Sequence, residues 1–387
     1  MSDVAIKPRP LRLLFLLGSR GEWGYIRPVI TEAIRRGHQA TICATNMALL
    51  SSHGSLVEDV VAEGYDVGYR VLNSLEGGTR EAMAKSIGLL QISFVDILMQ
   101  EAPDWVVLAG DRAEQMAAAT ACAYTYTPTA HIQAGERSGN IDGVARHAIG
   151  RLVHLHFAAN QDSVQRLVKS GEQSWRVHLT GAPQLDEIRQ MELPQEDNLS
   201  YNRVRPPGEF ILACFHPVTE DMEETKAHVD ATFEVLEAQT LPVVWILPNN
   251  DAGGSQVRFQ ILSNIRGQDQ AFANLPRDQY LALMRDCELL IGNSSSGLLE
   301  APSFGTPAVN IGRRQSQRLH GQNVVDVPAG TSEDIQAGLE LALQPIFRSR
   351  LVSRDNPYGD GLSSPRILDL LESTARDSSL LNKQITY

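Results

Sequence analysis

Residues 287–311 read CELLIGNSSSGLLEAPSFGTPAVNI. An apolar run, Leu289 to Ile291, stops at Gly292-Asn293, and Ser294, Ser295, Ser296 and Gly297 follow. A short helical pattern then runs to Gly305, and a second apolar run spans Ala308 to Ile311. Strand, polar turn, helix and strand in that order are the unit of an α/β sheet. The first N–H groups of a helix have no partner within it and the helix dipole adds positive potential, so an anion is the natural occupant of such a turn. The three serines add hydroxyl donors, and Gly297 keeps the approach open. The stretch reads as a diphosphate seat; taken alone it also suits a serine-capped helix with nothing bound.

The rest of the chain sets the bounds on that reading. At 387 residues it is long enough for about two domains of the usual ~150-residue size. A hydrophobic content of 43% with 21% charged residues is that of a soluble globular protein. A net charge of −12 argues against a nucleic-acid surface, so any phosphate site must be local. Cys43, Cys122, Cys214 and Cys287 lie in or beside apolar segments without metal-ligand spacing, and read as reduced core thiols of a cytoplasmic protein. The run LLFLLG after Arg12 is too short for a signal peptide, and no stretch reads as a membrane span.

In chain order, Leu11 to Leu17 reads as a buried strand, GSRGEWG as a loop, Ile26 to Arg36 as a helix stopped by Gly37, and Gln39 to Ala44 as the next strand. Gly18, Gly21 and Gly24 mark places where a backbone could approach a ligand, although their spacing is not a nucleotide fingerprint. Arg20 and Glu22 stand at the carboxyl end of the first strand, where open α/β sheets bind ligands. A helix from about Glu81 to Gln100 precedes the strand Trp105 to Ala109, beyond which lie Asp111 and Arg112. Asp111 fits either a ligand-facing carboxylate or a helix cap. A strand from Thr129 to Gln133 then enters a loop with Gln133, Glu136, Arg137 and Asp142, ahead of a helix bearing Arg146 and His147. His154 and His156 would share a strand face but make an incomplete metal set, so a hydrogen-bonded role is expected for them. The charged, proline-bearing segment Asp186 to Gly208 reads as the interdomain linker.

The second half restarts the pattern. Glu209 to Phe215 and Pro242 to Leu247 read as strands ending at His216-Pro217 and at Asn249, Asn250 and Asp251. Glu300 projects from the helix after the serine turn, and Arg313, Arg314 and Arg318 lie in the next loop. A carboxylate beside phosphates would be repelled by them and is better suited to gripping ribose hydroxyls.

HIQAGERSGNIDGVARHAIGRLVHLHF, HPVT, PNNDAG, IGNSSSGLLEAPSFGTPAVNIGRRQ and YGDGLSSPRIL, in this order and spacing, resemble the hydrolysing UDP-N-acetylglucosamine 2-epimerases of sialic and legionaminic acid synthesis. The resemblance implies an α/β, glycosyltransferase-B-like fold of two Rossmann-like domains facing across a cleft. These would be residues 1–185, with a C-terminal helix at about 363–377 packing back, and residues 205–350. It implies a nucleotide-sugar substrate, no metal or other cofactor, and a homodimer or homotetramer. Carried over onto this sequence, Ser294, Ser295 and Gly297 would hold the diphosphate, with Ser296 in the same turn. Glu300 would hold the ribose, and Arg314, Arg20 and Arg112 the phosphates. Asn249 and Asp251 would line the nucleotide pocket, with Gly24 and His147 as further substrate contacts. Asp111, Asp142 and His216 match positions near the reacting sugar. Gln133 stands where related animal enzymes carry glutamate, and an amide cannot trade a proton at neutral pH. Either Glu136 takes that work, or Asp111 and Asp142 suffice, or turnover is low.

The chemistry sets its own demands. The hydrogen on carbon 2 is too weakly acidic for unaided removal, so its loss must be coupled to departure of UDP from carbon 1. The resulting 2-acetamidoglycal takes a proton on its other face and water at carbon 1, releasing N-acetylmannosamine. Asp111 and Asp142 are the expected acid–base pair, with His216 assisting. A GDP-linked or UDP-diacetamido substrate, a glycosyltransferase, a non-hydrolysing epimerase and a non-catalytic nucleotide-sugar sensor are the alternatives.

Overall fold

A computed structural model describes residues 9–75, 79–190 and 207–386. Two all-parallel sheets carry the architecture, and the expected pair of Rossmann-like halves is present. The first contains β1 (Arg12–Leu17), β2 (Gln39–Thr45), β3 (Tyr69–Val71), β4 (Trp105–Ala109), β5 (Thr129–Ile132), β6 (Leu155–Ala158) and β7 (Val177–Leu179), in the order β3-β2-β1-β4-β5-β6-β7. The second contains β8 (Ile211–Cys214), β9 (Val243–Ile246), β10 (Gln270–Phe272), β11 (Leu289–Gly292), β12 (Ala308–Ile311) and β13 (Val324–Val327), in the order β10-β9-β8-β11-β12-β13.

The apolar runs became the central strands, because only a strand covered by helices on both faces buries every side chain. β4, β5, β8, β9, β11 and β12 are buried throughout. The strands that sequence reading missed, β3, β7, β10 and β13, sit at or near the sheet edges, too short to show alternation. In each sheet the chain winds outward from its first strand and then returns to its other side. The switch points fall between β1 and β4 and between β8 and β11. Crevices beyond the carboxyl ends of such strands are where open α/β sheets take ligands. At the second switch point the backbones nearly touch: a Cβ on Gly292 (φ +133°) would lie 2.1 Å from the Cys214 carbonyl oxygen.

The loop reading of GSRGEWG is corrected. The helix spans Arg20–Arg35 and begins with a capping box: Ser19 accepts from the Glu22 N–H, while the Glu22 carboxylate accepts from the N–H of Ser19 at 3.0 Å. Gly21 and Gly24 suggested a loop, but both are helical. A Cβ at Gly24 would come within 2.9 Å of the Arg277 guanidinium, so this glycine admits a side chain of the second half and no ligand.

The helix Ser363–Ser373 packs against Arg20–Arg35 of the first half. The Trp105 indole N–H donates to the Leu371 carbonyl at 3.1 Å. Asp186, inside the helix Gln184–Gln190, accepts from the N–H groups of Ser363 and Ser364 at 2.8 and 2.6 Å. It caps a helix that lies some 180 residues away in sequence. The linker expected from Asp186 therefore starts too early, since residues 186–190 are helical; its remainder, 191–206, lies outside the described residues. Asp186→Ala should cost about 1–2 kcal/mol, the upper range for a lost N-cap, read as a lower urea midpoint. An unchanged midpoint would refute this capping role.

The membrane reading also needs correcting. Arg80–Glu101 is 22 residues long, and an 18-residue window within it has a mean hydropathy of 1.5, enough in length and composition to cross a bilayer. Lys85 and Asp96 interrupt the run and hid it. In the fold it lies against the helix Ala113–Tyr124, burying Leu90, Phe94, Ile97 and Leu98. All four cysteines are buried free thiols.

Candidate active site

The loops after β1, β4, β8 and β11 meet in one cleft between the two sheets. Arg20, Asp111, Arg112, Asp142, His216, Asn249, Ser294, Ser295, Ser296, Glu300 and Arg314 all line it. The second switch point is tied shut by a reciprocal pair. Asn293 Oδ1 accepts from the His216 N–H at 2.7 Å, and Asn293 Nδ2 donates to the His216 carbonyl at 2.9 Å.

Ser295 stands at the N-cap position, without a side-chain capping bond, of a helix of only four residues, Ser296–Leu299, followed by a 3-10 turn, Ala301–Phe304. One turn carries little dipole, so charge complementarity at this seat falls to the arginines. Ser296 Oγ is shared between Tyr280 Oη (2.6 Å) and Ser294 Oγ (2.9 Å), leaving Ser295 as the partly exposed hydroxyl. Gly297 does not face the cleft. A Cβ there would meet Ala308 and Leu290 at 3.3 Å, so it seats the helix on its sheet.

Two of the three expected arginines fit an anion. Arg20 donates to the carbonyls of His53 and Ala273, both at 2.7 Å, and pairs with no carboxylate among the described residues. Burial lowers its pKa to about 10, which still leaves it charged at neutral pH. Arg314 donates to the Asn293 carbonyl at 3.2 Å and stands 4.0 Å from Asp142. Arg112 is different: Glu114 (2.9 Å) and Asp251 (2.8 Å) both hold it. With two carboxylates on one guanidinium it clasps the two halves, and its charge is already matched at the cleft wall. Asp251 is spent on that clasp and on Asn249 Nδ2 at 2.6 Å, so it orders the PNND turn from behind.

Glu300 is accompanied by Arg277, which donates to it at 2.7 Å and also bonds Glu187. This pairing offsets the repulsion that a bare carboxylate would meet beside phosphates. Nothing in the sequence marked Arg277 or Tyr280, which lie in a helix with no motif.

The carboxylates divide sharply. Asp111 does not cap the next helix, which starts after Arg112 with no side-chain cap. It accepts instead from Arg146 and from Ser138 Oγ at 3.1 Å. Burial alone would raise its pKa, but Arg146, Arg318 and Arg314 together hold it well below the usual carboxylate range. Asp142, at the start of the helix Ile141–Leu152, accepts from Asn140 Nδ2 at 2.8 Å. Burial, followed by the charges of Asp111 and Asp251, raises it to about 7 against the pull of Arg314 and Arg112. The same cleft thus favours the ionised form of one carboxyl and the protonated form of the other. His216 is pushed down to about 3 by burial and Arg314 and stays neutral. Its Nδ1 accepts from the Asn249 N–H at 3.3 Å, which leaves the proton on Nε2.

Besides Gly24, Asp251 and Gly297, three more expected site residues stand outside the cleft lining. Glu136 is buried against Arg318 (Nε at 2.8 Å) and 3.8 Å from Arg146, so it is a structural counter-ion and not the substitute base. Gln133, with φ +61°, donates to Gln184 Oε1 at 3.2 Å, while its carbonyl accepts from Arg146 at 2.7 Å. His147 lies on the exposed side of its helix. His154 accepts from the Thr129 N–H (3.1 Å) and His156 bonds Glu172 (3.0 Å), both as structural groups.

Comparison with known proteins agrees with this geometry. Residues 32–372 match the family model described as UDP-N-acetylglucosamine 2-epimerase. A UDP-N,N'-diacetylbacillosamine 2-epimerase (hydrolyzing) of Legionella pneumophila is 34% identical over 384 residues, covering 97% of this chain and 99% of that protein. A UDP-N-acetylglucosamine 2-epimerase of Neisseria meningitidis serogroup B is 31% identical, covering 97% and 96%. The crystal structure of the Neisseria meningitidis UDP-GlcNAc 2-epimerase bound to UDP-GlcNAc superposes with a TM-score of 0.78 at 20% identity, covering 94% of this chain and all of that one. That likeness shows a glycosyltransferase-B-like fold, and the sequence matches show more: this chain belongs to the UDP-N-acetylglucosamine 2-epimerase family.

Proposed function

We propose that the protein is a hydrolysing 2-epimerase that converts a UDP-linked 2-acetamido sugar to UDP and the free sugar inverted at carbon 2. The observation that carries this reading is the pair Asp111 and Asp142, two cleft carboxyls whose surroundings drive their ionisation apart. Such a pair supplies one base and one acid at the same pH. Arg20, Arg314 and the Ser295 hydroxyl receive the diphosphate, and departure of UDP leaves positive charge at carbon 1. The carbon 2 hydrogen is then acidic enough for Asp111, a weak base held ionised by Arg146. Asp142, which keeps its proton, returns one to carbon 2 of the glycal from the other face. His216, neutral with its Nε2 proton, donates a hydrogen bond without changing charge. UDP-N-acetylglucosamine, giving N-acetylmannosamine, is the first substrate to try. UDP-N,N'-diacetylbacillosamine is the second, favoured by the names of the Legionella relative and of a Campylobacter jejuni relative 29% identical over 81% of this chain.

Incubation of the purified protein with each nucleotide sugar tests the reading. UDP and a free inverted sugar are expected; a product still bound to the nucleotide, or no consumption without an acceptor, would refute it. The pH profile tests the roles. Because Asp142 must be protonated, kcat/KM should fall as pH rises through about 7, losing a factor of about 10 per unit. A profile that rises through 7 would reverse the assignment of acid and base.

A further inference from the structure

Beside the cleft lies a second, smaller cavity of about 40 Å³, and Tyr25, Asp111, Asp142, Ser295 and Arg314 line both. Its other walls are Ser138, Asn140, Arg146, Gln315 and Arg318, so no aliphatic side chain faces it. Arg146 Nε, Arg314 Nε and Asn140 Oδ1 are buried and take no hydrogen-bond partner from the described residues. Two donors and one acceptor thus stand around a space that would hold about three waters at 10–15 Å³ of such volume each. An acetamido group fits poorly, since its methyl would be placed against charges and hydroxyls.

We propose that this side chamber is the water store of the reaction, and that it delivers the molecule that attacks carbon 1. The proposal rests on the hydrolysing reading and explains how it is achieved: an epimerase that retains the nucleotide must return UDP to carbon 1, whereas a chamber that opens on the same Asp111, Asp142 and Ser295 would bring water to that carbon instead. The step balances. The proton that Asp111 removed from carbon 2 leaves with UDP. Asp142 gives its proton to carbon 2, the C1=C2 pair forming the new C–H bond and leaving a cation at carbon 1. A lone pair of the chamber water closes on carbon 1, and the proton this water sheds returns to the Asp142 carboxylate. Ser138 and Asn140 hold the store in place and act through it; they are positioning residues.

The test compares Ser138→Leu, which fills the chamber, with Ser138→Ala, which does not. Both lose the hydrogen bond to Asp111, so their difference reports volume. Supplied with the 2-acetamidoglycal and UDP, Ser138→Leu should hydrate the glycal at least about tenfold more slowly than Ser138→Ala. With the nucleotide sugar it should release glycal in place of free sugar while still releasing UDP. Asn140→Leu against Asn140→Ala gives the same comparison if the first leucine variant does not fold. Equal hydration rates within the pair that folds, or a wild type that leaves the glycal unchanged, would overturn the proposal. A wild type that yields only the nucleotide-linked epimer would instead overturn the hydrolysing reading beneath it.

Discussion

Asp142→Asn is expected to slow turnover by about 10²–10⁴-fold, the contribution of a positioned general acid. The asparagine is nearly isosteric and can still meet Asn140, so the cleft keeps its shape. KM for the nucleotide sugar should change little, because in the proposed arrangement Asp142 is not among the groups that would receive the diphosphate. The fall in kcat/KM above pH 7 should also vanish, since the group that titrates there is gone. Steady-state kinetics across pH 5.5–8.5, about 1.5 units either side of a pKa near 7, measures both. A variant with wild-type turnover would remove Asp142 from the chemistry altogether.

Glu136→Ala is expected to act on stability. Glu136 stands between the guanidinium groups of Arg318 and Arg146, all three side chains being 4% exposed or less. Deleting the carboxylate leaves two buried cations facing each other, and breaking a buried pair in this way costs about 3–5 kcal/mol. Urea denaturation should register the loss as a lower midpoint with an unchanged slope. If stability were retained while turnover collapsed, Glu136 would be a catalytic group after all. The effect would also reach the site, because Arg146 is the partner that keeps Asp111 ionised.

Much of this arrangement was legible before any coordinates. Apolar runs such as Val106 to Leu108 or Leu289 to Ile291 can be strands only if covered on both faces, and that requirement alone yields a doubly wound sheet. Polar residues just beyond those runs, Asp111, His216 and Ser295 among them, had to converge once the strands were parallel. Partnership was not legible. Arg112 and Arg20 are both arginines just beyond a strand's carboxyl end, yet one is held by two carboxylates and the other, among the described residues, bonds only carbonyls. Glu136 and Asp142 lie six residues apart, and one faces Arg318 while the other faces the cleft. Which way a loop side chain turns depends on residues more than a hundred positions away, and a linear pattern carries no record of that. Gly24 and Gly297 misled for the same reason. Each glycine marks a close approach, but what approaches is Arg277 in one case and a sheet in the other.

The return of the Ser363–Ser373 helix to the first half means that the polypeptide passes between the halves twice, between residues 190 and 207 and again ahead of Ser363. A lone tether would let two bodies twist and slide freely. A pair of tethers acts as an axle, leaving mainly rotation about the line that joins them. An opening of the cleft would then be widest on the side facing away from that axle.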